Sequence, residues 1–372
     1  MLTRLCIDNY RCFLNFEFRP GPFTLVLGPN GTGKSSLLDA LYCIHRLQSG
    51  WTHVGDLFPA ESRYRGGAPE RPQRFLLEAT VSDIPFSYEL LIEHDRRGRA
   101  RLAREAMQRE GRRLYEFDGT HAHLPMAGSP GDSDFPFQGH MSPLAALDLG
   151  RKSPLAPFLD WLRNLWVIRP VPQAMKAETS ATTTWGLQPD LSNFAAWFQN
   201  LVQEEPRLAA RITRSLRAVL PGFHGYTLAR ETEKTRTLRL LFRGGRRATE
   251  GSAGFALDEL SDGQRMLVAL YALLHEVLGT GGTLCLDEPE NYLALPEIQP
   301  WLDEVRDQVV DRGGQVLLIS HHPRVINLLA TRYGYWFDRK GMGPVKARRI
   351  AIQEADEGLP VSELVSRGWI HE

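Results

Sequence analysis

Gly28-Pro29-Asn30-Gly31-Thr32-Gly33-Lys34-Ser35 carries the most specific chemistry in the chain, because it fits G-x-x-x-x-G-K-[ST] at every fixed position. Glycines at this spacing let a backbone wrap phosphates, and successive N–H groups leading into a helix N-terminus supply the positive potential phosphate needs. On that chemistry Asn30, Gly31, Thr32, Gly33, Lys34, Ser35 and Ser36 make a nucleotide loop. Lys34 would reach the β- and γ-phosphates of ATP and the Ser35 hydroxyl would ligate Mg²⁺. Phosphoryl transfer to water also asks for a carboxylate on the metal side and a base. Thr283-Leu284-Cys285-Leu286-Asp287-Glu288 offers both at the end of an apolar strand, Asp287 for the Mg²⁺ shell and Glu288 for the attacking water. Two acids after a buried strand also suit a solvated strand end, and the phosphate loop upstream decides for catalysis.

Positioning these groups requires a strand before the loop and a helix after it. Phe23 to Leu27 and Ser35 to Arg46 have the apolar patterns of such a pair, and Leu5 to Ile7 and Phe13 to Phe18 read as two earlier strands. From Phe75 to Phe117 short alternating segments are separated by turn signals, which predicts an antiparallel lobe at about 75–120. His121 to Pro157 shifts to Gly, Pro, Ser and Asp and is expected to be a polar, mobile loop. Apolar faces over Asp190 to Leu220 predict two helices separated by Pro206. Leu260 to Asp338 alternates helix and strand, the pattern of a mostly parallel sheet. The expected domain plan is an ATPase head from 1–120 and 221–372, interrupted by a loop and helical insertion at 121–220.

The 372 residues are 42% apolar and carry 44 basic and 44 acidic side chains, so a polyanion partner must be met by a local patch. Such a patch is conceivable at 96–113, where eight arginines stand against Glu105 and Glu110. Arginine is nevertheless the default cation here, and a charged sheet edge prevents edge pairing, so this segment also reads as a solvated hairpin. No apolar run is long enough to span a bilayer, and the charged N-terminus lacks a signal pattern, which points to the cytoplasm. Cys6, Cys12, Cys43 and Cys285 include no C-x-x-C pair and suit small buried thiols in strands or helices. His121, His123, His140, Asp132 and Asp134 lack a fixed metal-ligand spacing.

Leu260-Ser261-Asp262-Gly263-Gln264 before a helix resembles the L-S-G-G-Q signature of ATP-binding-cassette ATPases, with Asp262 replacing the first glycine. Ser-Asp-Gly is equally a good helix N-cap. Pro289-Glu290-Asn291-Tyr292-Leu293 is similar to the family segment linking the two sites of a dimer, and Ser320-His321-His322-Pro323 is similar to its switch-histidine pattern. The resemblance implies that His321 senses the γ-phosphate, with His322 in a variable position. It also implies that Ser261, Asp262, Gly263 and Gln264 act in trans on the nucleotide of a second subunit, in a homodimer formed on ATP. Gln73 is one candidate for the family's Mg²⁺-contacting Q-loop glutamine.

Ser261 follows Ser35 by 226 residues, a wider spacing than transporter cassettes use, so a motor subunit of a membrane transporter is the lesser alternative. The opening Ile7-Asp8-Asn9-Tyr10-Arg11-Cys12-Phe13 and D-E-P-E-N-Y-L resemble the RecF, SMC and OLD-like ATPases, closest to the OLD-like ATPases of bacterial defence and repair loci. Only the regions around 1–46 and 257–338 carry the resemblance. It implies a P-loop NTPase fold of the ABC-ATPase type, with a mostly parallel core sheet, an antiparallel β lobe and a helical insertion. Pro- and Gly-rich sequence between the motifs excludes a coiled coil. About fifty residues follow Ser320 without a D-x-D, so a Toprim nuclease domain is not expected. ATP hydrolysis, a separate effector protein and contact with DNA or RNA in anti-phage defence or DNA repair are the expectations.

Overall fold

Alternation opens the chain: in Leu2–Asp8 (β1) the side chains of Leu2, Leu5 and Ile7 are buried, and in Phe16–Phe18 (β2) both phenylalanines are. Phe23–Leu27 (β3) is buried at every position, as a strand covered on both faces must be. The computed structural model describes residues 1–50, 52–68, 70–124, 133–147, 150, 152–179, 186–232, 235–243, 252–350 and 360–366. After β3 come Lys34–Gln48 (α1) and the short Val54–Leu57 (α2). Four longer strands follow, Gln73–Val81 (β4), Ile84–His94 (β5), Ala100–Arg109 (β6) and Arg112–Phe117 (β7), then His121–Leu124 (β8) and Ser133–Pro136 (β9). Pro143–Ala146 (α3), Ala156–Arg163 (α4), Leu165–Ile168 (β10) and Glu178–Thr179 (β11) lead to the helix pair Phe194–Glu204 (α5) and Pro206–Val219 (α6). Phe223–Arg230 (β12), Arg236–Arg243 (β13) and Ser252–Ala256 (β14) precede Asp262–Glu276 (α7), Thr283–Asp287 (β15) and Leu295–Arg312 (α8). The chain continues through Gln315–Ile319 (β16), Pro323–Tyr333 (α9), Gly334–Asp338 (β17), Lys346–Arg349 (β18) and Val361–Ser366 (α10).

Two compact units divide these elements, residues 1–166 with 315–372, and residues 167–314. In the first, an antiparallel sheet runs in the order β2-β1-β4-β5-β6-β7-β8-β9. Two-residue turns with positive φ, Ser82-Asp83 and Glu110-Gly111, close the β4–β5 and β6–β7 hairpins in the sense that strand twist favours. Beside it, β16, β3 and β17 run parallel, with Leu318 opposite Leu25 and Tyr335 opposite Val26, and β18 joins β17 antiparallel. A buried polar knot ties α1 to the antiparallel sheet. Gln48 Nε2 donates to Tyr88 Oη at 2.6 Å and to Glu105 Oε1 at 2.6 Å, while Tyr115 Oη donates to Glu105 Oε2 at 2.8 Å. Burial pushes the Glu105 carboxyl up from the usual carboxylate range, and these donors oppose it.

In the second unit β13 pairs antiparallel with β11, β12 and β14. The α7 helix is buried continuously from Met266 to His275, as a helix packed on all sides requires. Trp301 of α8 is fully buried and its Nε1 donates to the Leu270 carbonyl of α7 at 3.2 Å. Pro206 stands at the first position of α6, where its missing N–H costs nothing, and so separates α5 from α6 as expected.

Several expectations need correction. The expected strand from Phe13 is only β2, because Asn9, Arg11 and Asn15 adopt positive φ and fold Tyr10–Phe13 into a turn. Part of the expected polar loop at 121–157 is ordered: β8 and β9 extend the antiparallel sheet, and Ser142 caps α3 by accepting from Ala145 N. Backbone pairing there outweighs composition; residues 125–132, with Asp132, lie outside the described ones. Cys12 and Cys285 are buried, but Cys6 and Cys43 are only half-buried, and Cys12 lies in a turn rather than a strand or helix. No helix among the described residues is long and apolar enough to cross a membrane.

Candidate functional site

The phosphate loop leaves β3 with three glycines in backbone conformations that other residues rarely adopt. Gly28 has φ +144°, and a Cβ there would lie 2.3 Å from the Phe337 carbonyl oxygen. Gly33 has φ +89°, and a Cβ there would lie 2.5 Å from Cys12 Sγ. The loop is therefore clasped between the end of β17 and the Tyr10–Phe13 turn, and side chains are excluded at both places. Gly33 begins α1 without any side-chain cap, so the helix N-terminus presents backbone donors rather than a serine or aspartate oxygen. Lys34 is buried at 6% exposure, and its Nζ donates to Gly28 O at 2.7 Å and Pro29 O at 2.9 Å. Thr32 Oγ1 donates to Pro29 O at 2.8 Å. Arg339, in the turn after β17, donates to Gly31 O at 3.4 Å. This cradle of glycine backbone, uncapped helix and one ammonium group fits a nucleoside triphosphate.

On the other side of β3, the parallel register of β16 brings Ser320-His321 to the same end of the sheet as the loop. His321 is exposed. His322 instead caps α9, its Nδ1 accepting from Arg324 N at 3.3 Å. Gln73 is fully buried at the start of β4, donating from Nε2 to Ser62 Oγ at 3.1 Å, with Oε1 lacking a hydrogen-bond partner among the described residues.

The remaining expected residues belong to the second unit. Asp287 ends β15 and faces Arg169, with Nε 3.6 Å from Oδ2. Glu288 follows at φ +51°, a strained conformation for a residue with a Cβ, and accepts from Asn291 Nδ2 at 2.9 Å. Ser261 and Gln264 form a reciprocal capping box at the start of α7, over 3.3 and 3.1 Å. Both the N-cap and the signature expectations thus fall on one exposed serine. A Cβ on Gly263 would lie 2.9 Å from Tyr292 O, so this glycine lets α7 approach the turn after Glu288. Arg265 locks the segment, donating to Leu260 O, Pro172 O and Asp258 O, and Gln173 Nε2 donates to an Asp262 carboxylate oxygen. Sequence reasoning missed Arg169, Gln173, Arg265 and Arg339. None lies in a motif with its partner, and lone arginines in an arginine-rich chain carry no signal.

The arginine hairpin is largely neutralised. Arg99 pairs with Asp95, Arg101 with Glu93, Arg104 with Glu89 and Glu116, and Arg113 with Glu116. Antiparallel pairing sets the acids of β5 and β7 beside the arginines of β6, which a count within 96–113 alone does not reveal. His123 lies 3.6 Å from Asp118 and 3.5 Å from Asp134, and no group of three metal-ligating side chains occurs among the described residues.

A phosphate loop on a parallel sheet, with an antiparallel sheet beside it, defines a P-loop NTPase fold of mixed α/β class. Residues 23–327 match the family model described as "AAA domain, putative AbiEii toxin, Type IV TA system", and the chain belongs to that ATPase family. It is 22% identical over 347 residues to an OLD nuclease of Thermus scotoductus, covering 87% of this chain and 59% of that protein. The chain thus spans about three fifths of that relative's length. Among solved structures it is similar to an SMC head bound to the C-winged helix domain of ScpA, with TM-score 0.55 and 12% identity over 95% of this chain and 98% of that one. This likeness is one of fold. The protein is an ATPase related to OLD nucleases, with the fold of SMC heads.

Proposed function

We propose that two copies of this chain close around ATP and separate after hydrolysis. In this cycle the chain controls a nucleic-acid-linked process in the cytoplasm, anti-phage defence or DNA repair, through a separate effector protein. The observation that carries the reading is the start of α7, where exposed Ser261 is presented by a capping box and Gly263 holds the helix against the turn after Glu288. A segment built so rigidly, with its serine in solvent, suits a docking surface for another subunit's phosphates.

In the first unit the N–H groups from Asn30 to Ser36 hold the phosphates, Lys34 turns from its loop carbonyls to the β- and γ-phosphates, and His321 contacts the γ-phosphate. Ser35 would supply a hydroxyl ligand for Mg²⁺, which when bound would offset the charge of the phosphate oxygens. In the second unit Asp287 is the carboxylate that would face a hydrated metal ion, Glu288 would orient and deprotonate water, and Ser261, Asp262, Gly263 and Gln264 would meet the nucleotide of the other copy. The relative named as a nuclease supports the nucleic-acid-linked setting.

Light scattering tests the cycle. Glu288→Gln with Mg-ATP should run as a dimer, and adding Ser261→Arg should return it to a monomer. A monomer under every nucleotide condition, or a dimer indifferent to Ser261→Arg, refutes the proposal.

A further inference from the structure

The five residues of β3 separate the phosphate loop from a second concavity, ~16 Å away at the strand's other end. There Phe23, Thr24, Arg332, Tyr333, Tyr335 and Arg349 border a cavity of about 260 Å³. Two guanidinium groups lie over aromatic rings at its rim, at cation–π distance. Arg332 lies 5.4 Å from the Tyr333 ring centroid and Arg349 lies 5.5 Å from that of Tyr335. Cross-strand pairing of Tyr335 with Arg349 fixes the second contact, and Arg349 Nε donates to Tyr335 Oη at 3.1 Å. Tyr335 Oη in turn donates to Arg19 O at 2.6 Å. Phe23 and Tyr333 face each other at 5.1 Å, making an apolar wall beside the charges.

No acidic residue lines the cavity, and among the described residues neither Arg332 nor Arg349 has an ion-pair partner. This distinguishes them from Arg99, Arg101, Arg104 and Arg113 of the β5–β7 hairpin. Arg349 spends its Nε on Tyr335 Oη, and its two terminal amino groups remain to take a phosphate bidentately, as the fork of Arg332 can. Two such forks suit a phosphate ester, while the aromatic wall suits a base stacked beside it. The volume falls just below the range of pockets for drug-sized ligands, ~300–1,000 Å³, and so limits the occupant to one unit.

We propose that this cavity binds one nucleotide unit, a phosphate ester carrying a nucleobase, separately from the ATP site. A free nucleotide and a nucleotide within a nucleic-acid strand share this chemistry. The inference does not rest on the ATP cycle, since none of its residues belongs to the phosphate loop.

The test uses the full chain with Lys34→Ala to weaken the phosphate loop, titrated with inorganic phosphate, adenosine monophosphate and a 5′-phosphorylated single-stranded hexanucleotide. The nucleotide or the oligonucleotide should bind more tightly than inorganic phosphate. Arg332→Ala with Arg349→Ala should weaken that binding at least tenfold, and Arg332→Ala alone, at an exposed helix end where folding is safe, should weaken it measurably. Saturation by the monophosphate assigns a free nucleotide, and binding of the oligonucleotide alone assigns a strand. With Lys34 restored, the arginine variants should hydrolyse ATP at the parental rate. Absence of binding, equal binding of inorganic phosphate, or affinity unchanged in the arginine variants overturns the proposal.

Discussion

Glu288 concentrates several constraints in one residue. It leaves a buried strand, adopts a φ that costs a non-glycine residue about 1–3 kcal/mol, and is steadied by Asn291. Strain of this kind persists where surrounding structure over-determines it, here the buried β15 before it and Pro289 after it. Replacing Glu288 by Gln keeps the shape and the Asn291 contact but removes the carboxylate proposed as the base. Turnover should fall by ~10² to 10⁴ while ATP still binds, measured as steady-state phosphate release beside a nucleotide-binding titration. Undiminished hydrolysis would remove Glu288 from the role. The motif D-E made this residue visible in the sequence; its backbone conformation and the Arg169 pairing of its neighbour were not, because both depend on distant chain.

At the scale of elements, α6, α7 and α8 meet around a buried histidine. Ser215 Oγ lies 2.9 Å from His275 Nε2 and donates to Glu304 Oε1 at 3.1 Å. Burial, with Arg211 nearby, pulls His275 down to about 4, and burial pushes the Glu304 carboxyl up. His275 is therefore neutral in the folded chain at pH 7. A histidine whose folded value is depressed contributes stability above its unfolded value of about 6.5, and this is lost as pH falls from there toward about 4. The loss is on the order of 3 kcal/mol for this group, before the opposing titration of Glu304 is counted. Thermal melts between pH 7 and 4.5 should show His275→Gln less sensitive to acid than the parent chain. A parallel decline in both would show that other groups set the acid limb. Helical periodicity reveals that α7 is buried, but not that its polar residue meets Ser215 and Glu304.

For the whole molecule, nucleotide binding should register as stability. A ligand at 100 times its Kd that binds only the folded state adds about 2.7 kcal/mol. Mg-ATP should therefore raise the melting temperature of the parent chain by a few degrees, and Lys34→Ala should abolish most of that shift. A shift unchanged by Lys34→Ala would place the nucleotide elsewhere. This prediction concerns the first unit, where loop, α1 and the β17 end belong to one body.

Local chemistry alone determined the phosphate loop, the D-E pair, the L-S-D-G-Q helix start and the alternating strands of the lobe, because each depends on spacing within a few residues. Only the tertiary structure decided that β1 and β2 join the antiparallel sheet and that β8 and β9 extend it. It alone paired Arg99, Arg101, Arg104 and Arg113 with acids and left Arg332 and Arg349 without acids among the described residues. The physical reason is the same in each case. Backbone pairing and charge compensation are satisfied by whichever partner the fold brings near, and Tyr335 and Arg349 or Arg104 and Glu89 become neighbours only once strands have found their register.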